Sequence, residues 1–215
     1  MTYYFGKTKT EGRGVGKDIL GGKGLNLAEM TGIGLPVPPG FTITTTVCDQ
    51  YYKLGEQLPA NLMDDVSKNI RTLERELKKG FGDSKNPLLV SVRSGAAVSM
   101  PGMMNTILNL GLTDVSVEGL ASATDNRRFA YDAYRRLINM FGDVVKGVDH
   151  HHFEAAFDKI KKKYKVSEDT DVPEEGLVEL VAAYKAVYKK HTRTPFPQAV
   201  SYTHLRAHET REDLV

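Results

Sequence analysis

Cysteine, tryptophan and long apolar runs are scarce or missing in this sequence of 215 residues. Cys48 is the single cysteine, so an intramolecular disulfide is excluded and a reducing compartment is expected. No apolar run reaches the roughly 18 residues that a membrane-spanning helix needs, and residues 1–7 show no signal-peptide pattern. The net charge of +2 is too small to favour a nucleic-acid partner. We therefore expect a cytoplasmic protein with neither a membrane nor a nucleic-acid partner.

Composition and patterning predict a globular protein of the α+β class. Hydrophobic residues make up 40% and charged residues 26% of the chain, as is usual for proteins with a packed core. Short strands are predicted in the first half, at residues 3–5, Phe41–Val47 and Pro87–Val92, the last with the apolar run of a buried strand. Amphipathic helices fill the second half, beginning near Arg128, His150 and Pro173. This separation of strands from helices is typical of α+β folds.

Two further helices are predicted in the first half. One begins at Lys23 and is stopped after Met30 by the glycines and prolines that follow. The other has apolar residues at steps of three and four from Leu62 to Leu77, and Gly80 is the expected cap at its end.

Residues 199–215 lack the periodicity of the preceding chain and are similar to a translated transposase sequencing adapter. The match runs without interruption from Val200 to Thr210. We therefore expect residues 1–198 to be native and residues 199–215 to be a non-native tail, as with a fusion scar. The native part is then the front end of a longer protein.

The segment Gly21–Gly24 combines small residues with a cation at the start of a predicted helix. Glycines let the backbone approach an anion, and N–H groups at a helix start point toward it. Lys23 adds a positive charge that suits a phosphate. The glycine spacing is not that of a Walker loop, so an ordinary turn is the alternative interpretation.

Two arginines, Arg93 and Arg136, lie within predicted secondary structure, where a charged side chain needs a partner or a ligand. Arg93 ends a strand predicted to be buried, so its guanidinium must form an ion pair or face a cleft. Arg136 follows Asp132 by four residues on a predicted helix, and an ordinary salt bridge explains it adequately. Between them, Met100–Met104 concentrates methionines beside a Pro-Gly pair, which is typical of a core filler or an adaptable surface.

Three ordered blocks of the sequence resemble the dikinases that interconvert pyruvate and phosphoenolpyruvate. The first, from Leu20 to Phe41, resembles the opening of these proteins. The second, from Leu88 to Asn109, resembles the pyruvate, phosphate dikinase branch of the family, and Arg128–Arg136 matches in the expected order. The resemblance covers essentially residues 1–198.

The resemblance implies that the native part belongs to the ATP-grasp-like nucleotide-binding domain of a phosphotransferase. Members of this branch convert ATP, phosphate and pyruvate reversibly to AMP, diphosphate and phosphoenolpyruvate, with a phosphohistidine as carrier. Three cations match the ATP-phosphate-binding residues of the family by position, and three small residues beside them are secondary candidates. The cations are Lys23, Arg93 and Arg136, and the small residues are Gly22, Gly24 and Ser94.

The resemblance also implies what residues 1–198 lack. In the family, the acidic ligands of Mg²⁺, the carrier histidine and the pyruvate-binding domain all follow the position of Gln198. We therefore expect ATP with Mg²⁺ as the nucleotide of the intact protein, but no metal ligand and no catalytic residue within residues 1–198. The segment alone is expected to be inactive, and the full-length protein is expected to form a homodimer.

Two other interpretations stay open. A pyruvate, water dikinase (phosphoenolpyruvate synthase) resembles the first block but has a more acidic stretch after the strand arginine, where this chain has Met100–Met104. A non-catalytic nucleotide-binding or interaction module that ends at Val215 is the other interpretation.

Overall fold

The computed structural model describes residues 1–93 and 106–199, which form two compact units. The first unit comprises residues 1–79 and the second comprises residues 80–93 and 106–199. The first contains β1 (Thr2–Phe5), α1 (Lys17–Gly32), β2 (Gly40–Ile43), α2 (Thr45–Lys53) and α3 (Leu62–Leu77). The second contains β3 (Gly80–Phe81), β4 (Pro87–Leu88), β5 (Val90–Arg93), β6 (Thr106–Leu110), α4 (Ser116–Thr124), α5 (Arg127–Met140), α6 (His150–Tyr164) and α7 (Glu174–Thr192). The predicted α+β class is confirmed.

The first unit is built on an antiparallel pair of strands and an amphipathic helix. Strands β1 and β2 pair with Thr2 opposite Ile43 and Phe5 opposite Gly40, which confirms the strand predicted at residues 3–5. Helix α3 has the predicted bounds and buries the predicted apolar face from Leu62 to Leu73, while Leu77 at its end is exposed. Its cap was wrongly predicted, because Lys78 takes the left-handed conformation (φ 53°) and Gly80 already belongs to β3.

The strand predicted at Phe41–Val47 is shorter than its β-branched sequence suggests. Strand β2 ends at Ile43, and α2 begins two residues later. The Thr44 hydroxyl is buried and lies 2.7 Å from the Thr46 hydroxyl, while the Thr45 hydroxyl donates to the Asp18 carbonyl. The contact between Thr44 and Thr46 is local, and hydroxyls that bond near their own backbone compete with a strand ladder. Helix α2 also buries Val47, which a continued strand would have to place elsewhere.

Helix α1 starts earlier than predicted and contains a break. A first turn begins at Lys17, and Gly21 then interrupts it with φ 66° and ψ 168°. This region of backbone conformation is essentially restricted to glycine. The helical conformation resumes at Gly22, so the predicted start at Lys23 describes the second segment and misses the first.

In the second unit, the buried strand predicted at Pro87–Val92 is divided in two. Strand β4 pairs in parallel with β3, and β5 pairs antiparallel with β6 across an irregularity between Val90 and Val92. Only β4 is fully buried, because Ser91 and Arg93 on β5 are exposed and alternate with half-buried residues. An apolar run alone could not distinguish these two environments.

Helices α5, α6 and α7 form the core of the second unit and confirm the predicted helical second half. Their largest fully buried side chains include Tyr134, Leu137, Phe153, Leu177 and Tyr184. After Met140, the backbone of α5 continues into one π-helical turn, Phe141–Val145. None of the described helices combines the length and apolarity needed to cross a bilayer.

Candidate functional site

The Gly21 break gives α1 a second helix start inside its own length. The segment that resumes at Gly22 has helical backbone angles, while Gly21 does not. The first N–H groups of a helix have no carbonyl four residues earlier in helical register, and they carry the positive end of the helix dipole. This is the backbone arrangement that anions favour, and it lies within the segment Gly21–Gly24 for which the sequence predicts an anion contact.

Lys23 lies in the first turn of the resumed helix. Its side chain is half-buried, and no hydrogen bond or ion pair joins it to another residue of the described chain. A lysine that is not used internally keeps its charge available for a ligand. The structure therefore leaves Lys23 suited to the phosphate contact expected from the sequence.

Gly22 and Gly24 differ in what surrounds them. A Cβ built on Gly24 would lie 2.6 Å from Cγ2 and 2.9 Å from Oγ1 of Thr42. Gly24 is buried, so this glycine lets α1 pack closely against β2. A Cβ on Gly22 would lie 3.3 Å from Cε of Lys17, which places a second lysine beside the break. The sequence analysis missed Lys17 because the predicted helix began at Lys23.

Arg93 is the last residue of β5, as predicted, and pairs with Thr106 of β6. Its side chain is exposed, and it forms no ion pair with the residues that the structure describes. The expectation of a buried environment is therefore wrong, while its position at a strand end is confirmed. Ser94 and the Met100–Met104 block lie outside the described residues, so their predicted roles are unchanged.

The two adjacent arginines of α5 have different surroundings because consecutive helical residues point about 100° apart. Arg135 has 9% of its side chain exposed, donates to Asp132 over 2.8 Å from Nε, and lies 4.5 Å from the centre of the Phe157 ring. Arg136 has 54% of its side chain exposed and donates from Nε to the other Asp132 oxygen over 2.8 Å. The predicted Asp132–Arg136 pair is confirmed, and it leaves much of the Arg136 guanidinium accessible to a ligand.

The start of α5 is fixed by its neighbours. The Asn126 side chain accepts a hydrogen bond from the Phe129 N–H over 2.9 Å and so caps the helix. Arg127 forms ion pairs with Glu118 of α4 at 3.0 Å and Glu174 of α7 at 2.7 Å. Hydrogen bonds from Arg127 and from a neighbouring tyrosine lower the pKa of Glu118. Together with the apolar face that α5 buries, these contacts set the rotation of the helix and hence the direction of each arginine.

Asn139 is a second residue that sequence patterns did not reveal. It lies on α5 three residues after Arg136, and its Oδ1 is buried without a hydrogen-bond partner among the described residues. Buried acceptors are nearly always satisfied, so Asn139 is a candidate contact for a hydrogen-bond donor. Only a structure could identify it, because asparagine on a helix has no distinctive spacing.

The described residues do not gather a metal site. Within residues 1–93 and 106–199, no group of three or more His, Cys, Asp or Glu side chains is placed to hold a metal ion. The cations expected to bind phosphate belong to different units: Lys23 to the first, Arg93 and Arg136 to the second. Their convergence on one ligand stays a prediction.

A helix that restarts after a glycine, with a lysine in its first turn, is an arrangement that can accept an anion. The comparison of the sequence with known families identifies the class of protein. The family described as "Pyruvate phosphate dikinase, AMP/ATP-binding domain" matches residues 17–59 and 54–212. The chain belongs to this family.

Curated proteins with a similar sequence are named pyruvate, phosphate dikinases. The chain is 52% identical to the pyruvate, phosphate dikinase of Clostridium symbiosum over 189 residues, which is 87% of this chain and 22% of that protein. It is 50% identical to the pyruvate, phosphate dikinase of Giardia intestinalis over 199 residues, covering 91% of this chain and 22% of the relative. Chloroplastic pyruvate, phosphate dikinase 1 of Oryza sativa is 50% identical over 195 residues, or 91% of this chain and 20% of its own length. The chain thus spans about a fifth of the length of these relatives.

Proposed function

We propose that this chain is the N-terminal part of the ATP-binding region of a pyruvate, phosphate dikinase. The intact protein would convert ATP, phosphate and pyruvate reversibly to AMP, diphosphate and phosphoenolpyruvate, with a phosphohistidine as carrier. The observation that carries this proposal is the family match, which spans most of the chain. The chain is also about 50% identical to dikinases from bacteria, protists and plants. The relatives named above are phosphate dikinases, which favours this activity over that of a water dikinase.

Within an ATP-grasp-like domain, Lys23, Arg93 and Arg136 would contact the phosphates of ATP. Phosphoryl transfer depends mainly on positioning and on neutralising charge on the transferred oxygens. Accessible, non-buried cations supply that charge, and neither Lys23 nor Arg93 forms an ion pair with another residue that the structure describes, which supports their use for a ligand. Asp132 would hold the Arg136 guanidinium in one orientation, since its oxygen accepts from Nε and leaves the other nitrogens for phosphate.

In this proposal the acidic ligands of Mg²⁺, the carrier histidine and the pyruvate site all lie after Gln198. The chain alone would then lack phosphotransferase activity. We further propose a homodimer for the intact protein. Relatives include chloroplastic forms, so the cytoplasmic location expected from the sequence is a separate prediction.

The first experiment is to sequence the source DNA across the junction between Gln198 and Ala199. We expect the native reading frame to continue into acidic and histidine-bearing regions in place of residues 199–215. A genomic tail that reaches Val215 and a stop codon would overturn the proposal and favour a small binding module.

The second experiment measures the two half-reactions of the recovered full-length protein. Lys23→Ala and Arg93→Ala should reduce phosphorylation of the carrier by ATP and phosphate about a hundredfold, as for other lost charge-stabilising contacts. Exchange between pyruvate and phosphoenolpyruvate should be unchanged. Lys53→Ala, which alters an exposed lysine of α2, is the matched control.

Equal loss of both half-reactions, or of neither, would contradict the assigned phosphate contacts. The requirement for inorganic phosphate tests the reaction type, because a water dikinase needs none and releases no diphosphate.

A further inference from the structure

Lys17 is directed toward the restart of α1 although it belongs to the turn before the break. Its Cε lies 3.3 Å from the position that a Cβ on Gly22 would occupy. The ammonium nitrogen is bonded to that carbon and lies beyond 4 Å from the same position, so the side chain passes the first residue of the resumed helix and carries its charge near it. The break at Gly21 therefore has one lysine before it, Lys17, and one after it, Lys23, in the first turn of the resumed helix.

The break at Gly21 is what makes this arrangement possible. On a continuous helix, residues six apart are separated by roughly 120° around the axis and do not share a face. Gly21 redirects the chain with φ 66° and ψ 168°, and the absence of a side chain at Gly22 leaves the space that the Lys17 methylene groups use.

The positive charge of Lys17 has no ion-pair partner among the residues that the structure describes. Its side chain is exposed and forms no hydrogen bond or ion pair with another residue of the part that the structure describes. The neighbouring Asp18 carboxylate turns back toward Gly16, the residue before α1. Lys17 is therefore available to a ligand at the same helix start as Lys23.

We propose that Lys17 is a further phosphate-binding residue, which acts with Lys23 on the polyphosphate of ATP. The inference rests on the proposed function, since it adds a cation to the same nucleotide site. Two lysines at one helix start would bind a chain of several phosphates better than a single phosphate group, because each additional phosphate brings negative charge.

Arg13, in the loop that precedes α1, provides a matched control. A Cβ built on Gly32 would lie 2.5 Å from both Cδ and Nε of Arg13, so this arginine lies against the C-terminal end of α1. At 1.5 Å per residue, Gly22 and Gly32 are about 15 Å apart along the helix. Arg13→Gln removes the same charge from the loop without touching the helix start.

The test is a titration of the isotope-labelled chain with ATP, followed by NMR at the backbone amides of Gly22, Lys23 and Gly24. Lys17→Gln should weaken ATP binding about tenfold, as expected for one charge-assisted hydrogen bond. It should weaken AMP binding less, and Arg13→Gln should change either affinity less than about twofold. Thermal unfolding of each variant checks that the fold is intact.

Several outcomes would overturn the inference. Equal weakening by Lys17→Gln and Arg13→Gln would show a general charge effect, and no weakening by Lys17→Gln would remove the residue from the site. Loss of binding in Lys23→Ala with none in Lys17→Gln would leave the proposed function intact and refute only the inference. If the chain shows no shift at millimolar ATP, the same variants are compared in the ATP half-reaction of the full-length protein, where an unchanged rate in Lys17→Gln refutes the inference.

Discussion

The side-chain amide of Gln198 donates a hydrogen bond to the Tyr134 hydroxyl over 3.2 Å. The same hydroxyl donates to the Asp114 carboxylate over 3.0 Å, and the Asp114 N–H donates to Gln198 Oε1 over 2.9 Å. Burial, and then the Asp114 carboxylate, raise the pKa of Tyr134, which outweighs the lowering by the Gln198 hydrogen bond. The chain is therefore joined to the core of the second unit as far as Gln198, the last residue of the predicted native part.

Phe196 should contribute strongly to the stability of the second unit. It is 3% exposed, and its ring lies 5.3 Å from Tyr188, 5.7 Å from Phe141 and 6.1 Å from Tyr134, measured between centroids. Phe196→Ala should lower the free energy of unfolding by about 3 kcal/mol, measured by circular dichroism in urea. Phe129→Ala removes the same side chain from a site that is 48% exposed and should cost about 0.5 kcal/mol or less. Similar losses in the two variants would contradict the packing described here.

Gly24 and Gly21 should resist substitution for different reasons. Gly24→Ala places a methyl group against Thr42, so Thr42→Ala in the same chain should recover much of the lost stability. Gly21→Ala meets no atom within 4 Å, yet it should cost about 1–3 kcal/mol through its backbone angles. Thr42→Ala should not rescue Gly21→Ala. Denaturant unfolding of the parent, the three single variants and the two double variants tests this. Rescue of both glycine variants, or of neither, would contradict it.

The two arginines beside Asp132 should differ in their effect on stability. Arg135→Gln leaves the half-buried Asp132 without its more buried partner and should lower the free energy of unfolding by about 3 kcal/mol. Arg136→Gln removes a largely exposed pair and should cost about 0.5 kcal/mol or less. Urea unfolding of both variants, and of each combined with Asp132→Asn, measures the two couplings. A coupling of Asp132 to Arg136 as large as that to Arg135 would refute the distinction.

Glu76 should make the first unit less stable in acid. Burial raises the pKa of its carboxyl, but hydrogen bonds from the Lys7 and Thr8 N–H groups and from the Thr8 and Tyr4 hydroxyls outweigh burial and lower it below 4.5. The folded state thus binds the proton less readily than the unfolded state. The stabilisation is complete above pH 4.5 and is lost as the pH falls through the lowered value.

Glu76→Gln removes this titration, so its stability should fall less steeply below pH 4.5 than that of the parent chain. Hydrogen exchange of amides in β1 and α3 measures the first unit directly. Glu29→Gln, which removes an exposed carboxylate of α1, is the matched control for the loss of one charge. An unchanged slope in Glu76→Gln would contradict the role of these hydrogen bonds.

The parts of the fold that sequence patterns predicted are those with a long, single periodicity. Helix α3 has its predicted bounds because its apolar residues repeat along one face of the helix over about four turns. The strand at Phe41–Val47 was overestimated because β-branched residues fit either a strand or a threonine-rich helix start, and packing of Val47 decided between them. The break in α1 could not be predicted, since a glycine in a helix pattern does not reveal its own φ and ψ.

In the candidate site too, some features follow from local sequence and others depend on three-dimensional structure. The positions of Lys23 at a helix start, Arg93 at a strand end and Arg136 on a helix face follow from local sequence. The contact of Lys17 with Gly22 does not, because it depends on the direction that the chain takes after Gly21. The unsatisfied oxygen of Asn139 depends on three-dimensional packing and has no sequence signal.

The rotation of α5 about its axis decides which of its two adjacent arginines, Arg135 or Arg136, is buried and which is exposed. Inserting one residue between the Asn126 cap and Asp132 would turn the rest of the helix by about 100°. Arg135 would then take the outward position, and Tyr134 would take the place beside Phe157. Which arginine meets the solvent thus depends on the apolar face that α5 buries, as well as on the cap and the Arg127 ion pairs. A one-residue insertion at the beginning of α5 would therefore exchange the exposed arginine only by also turning buried residues such as Leu137 away from the core.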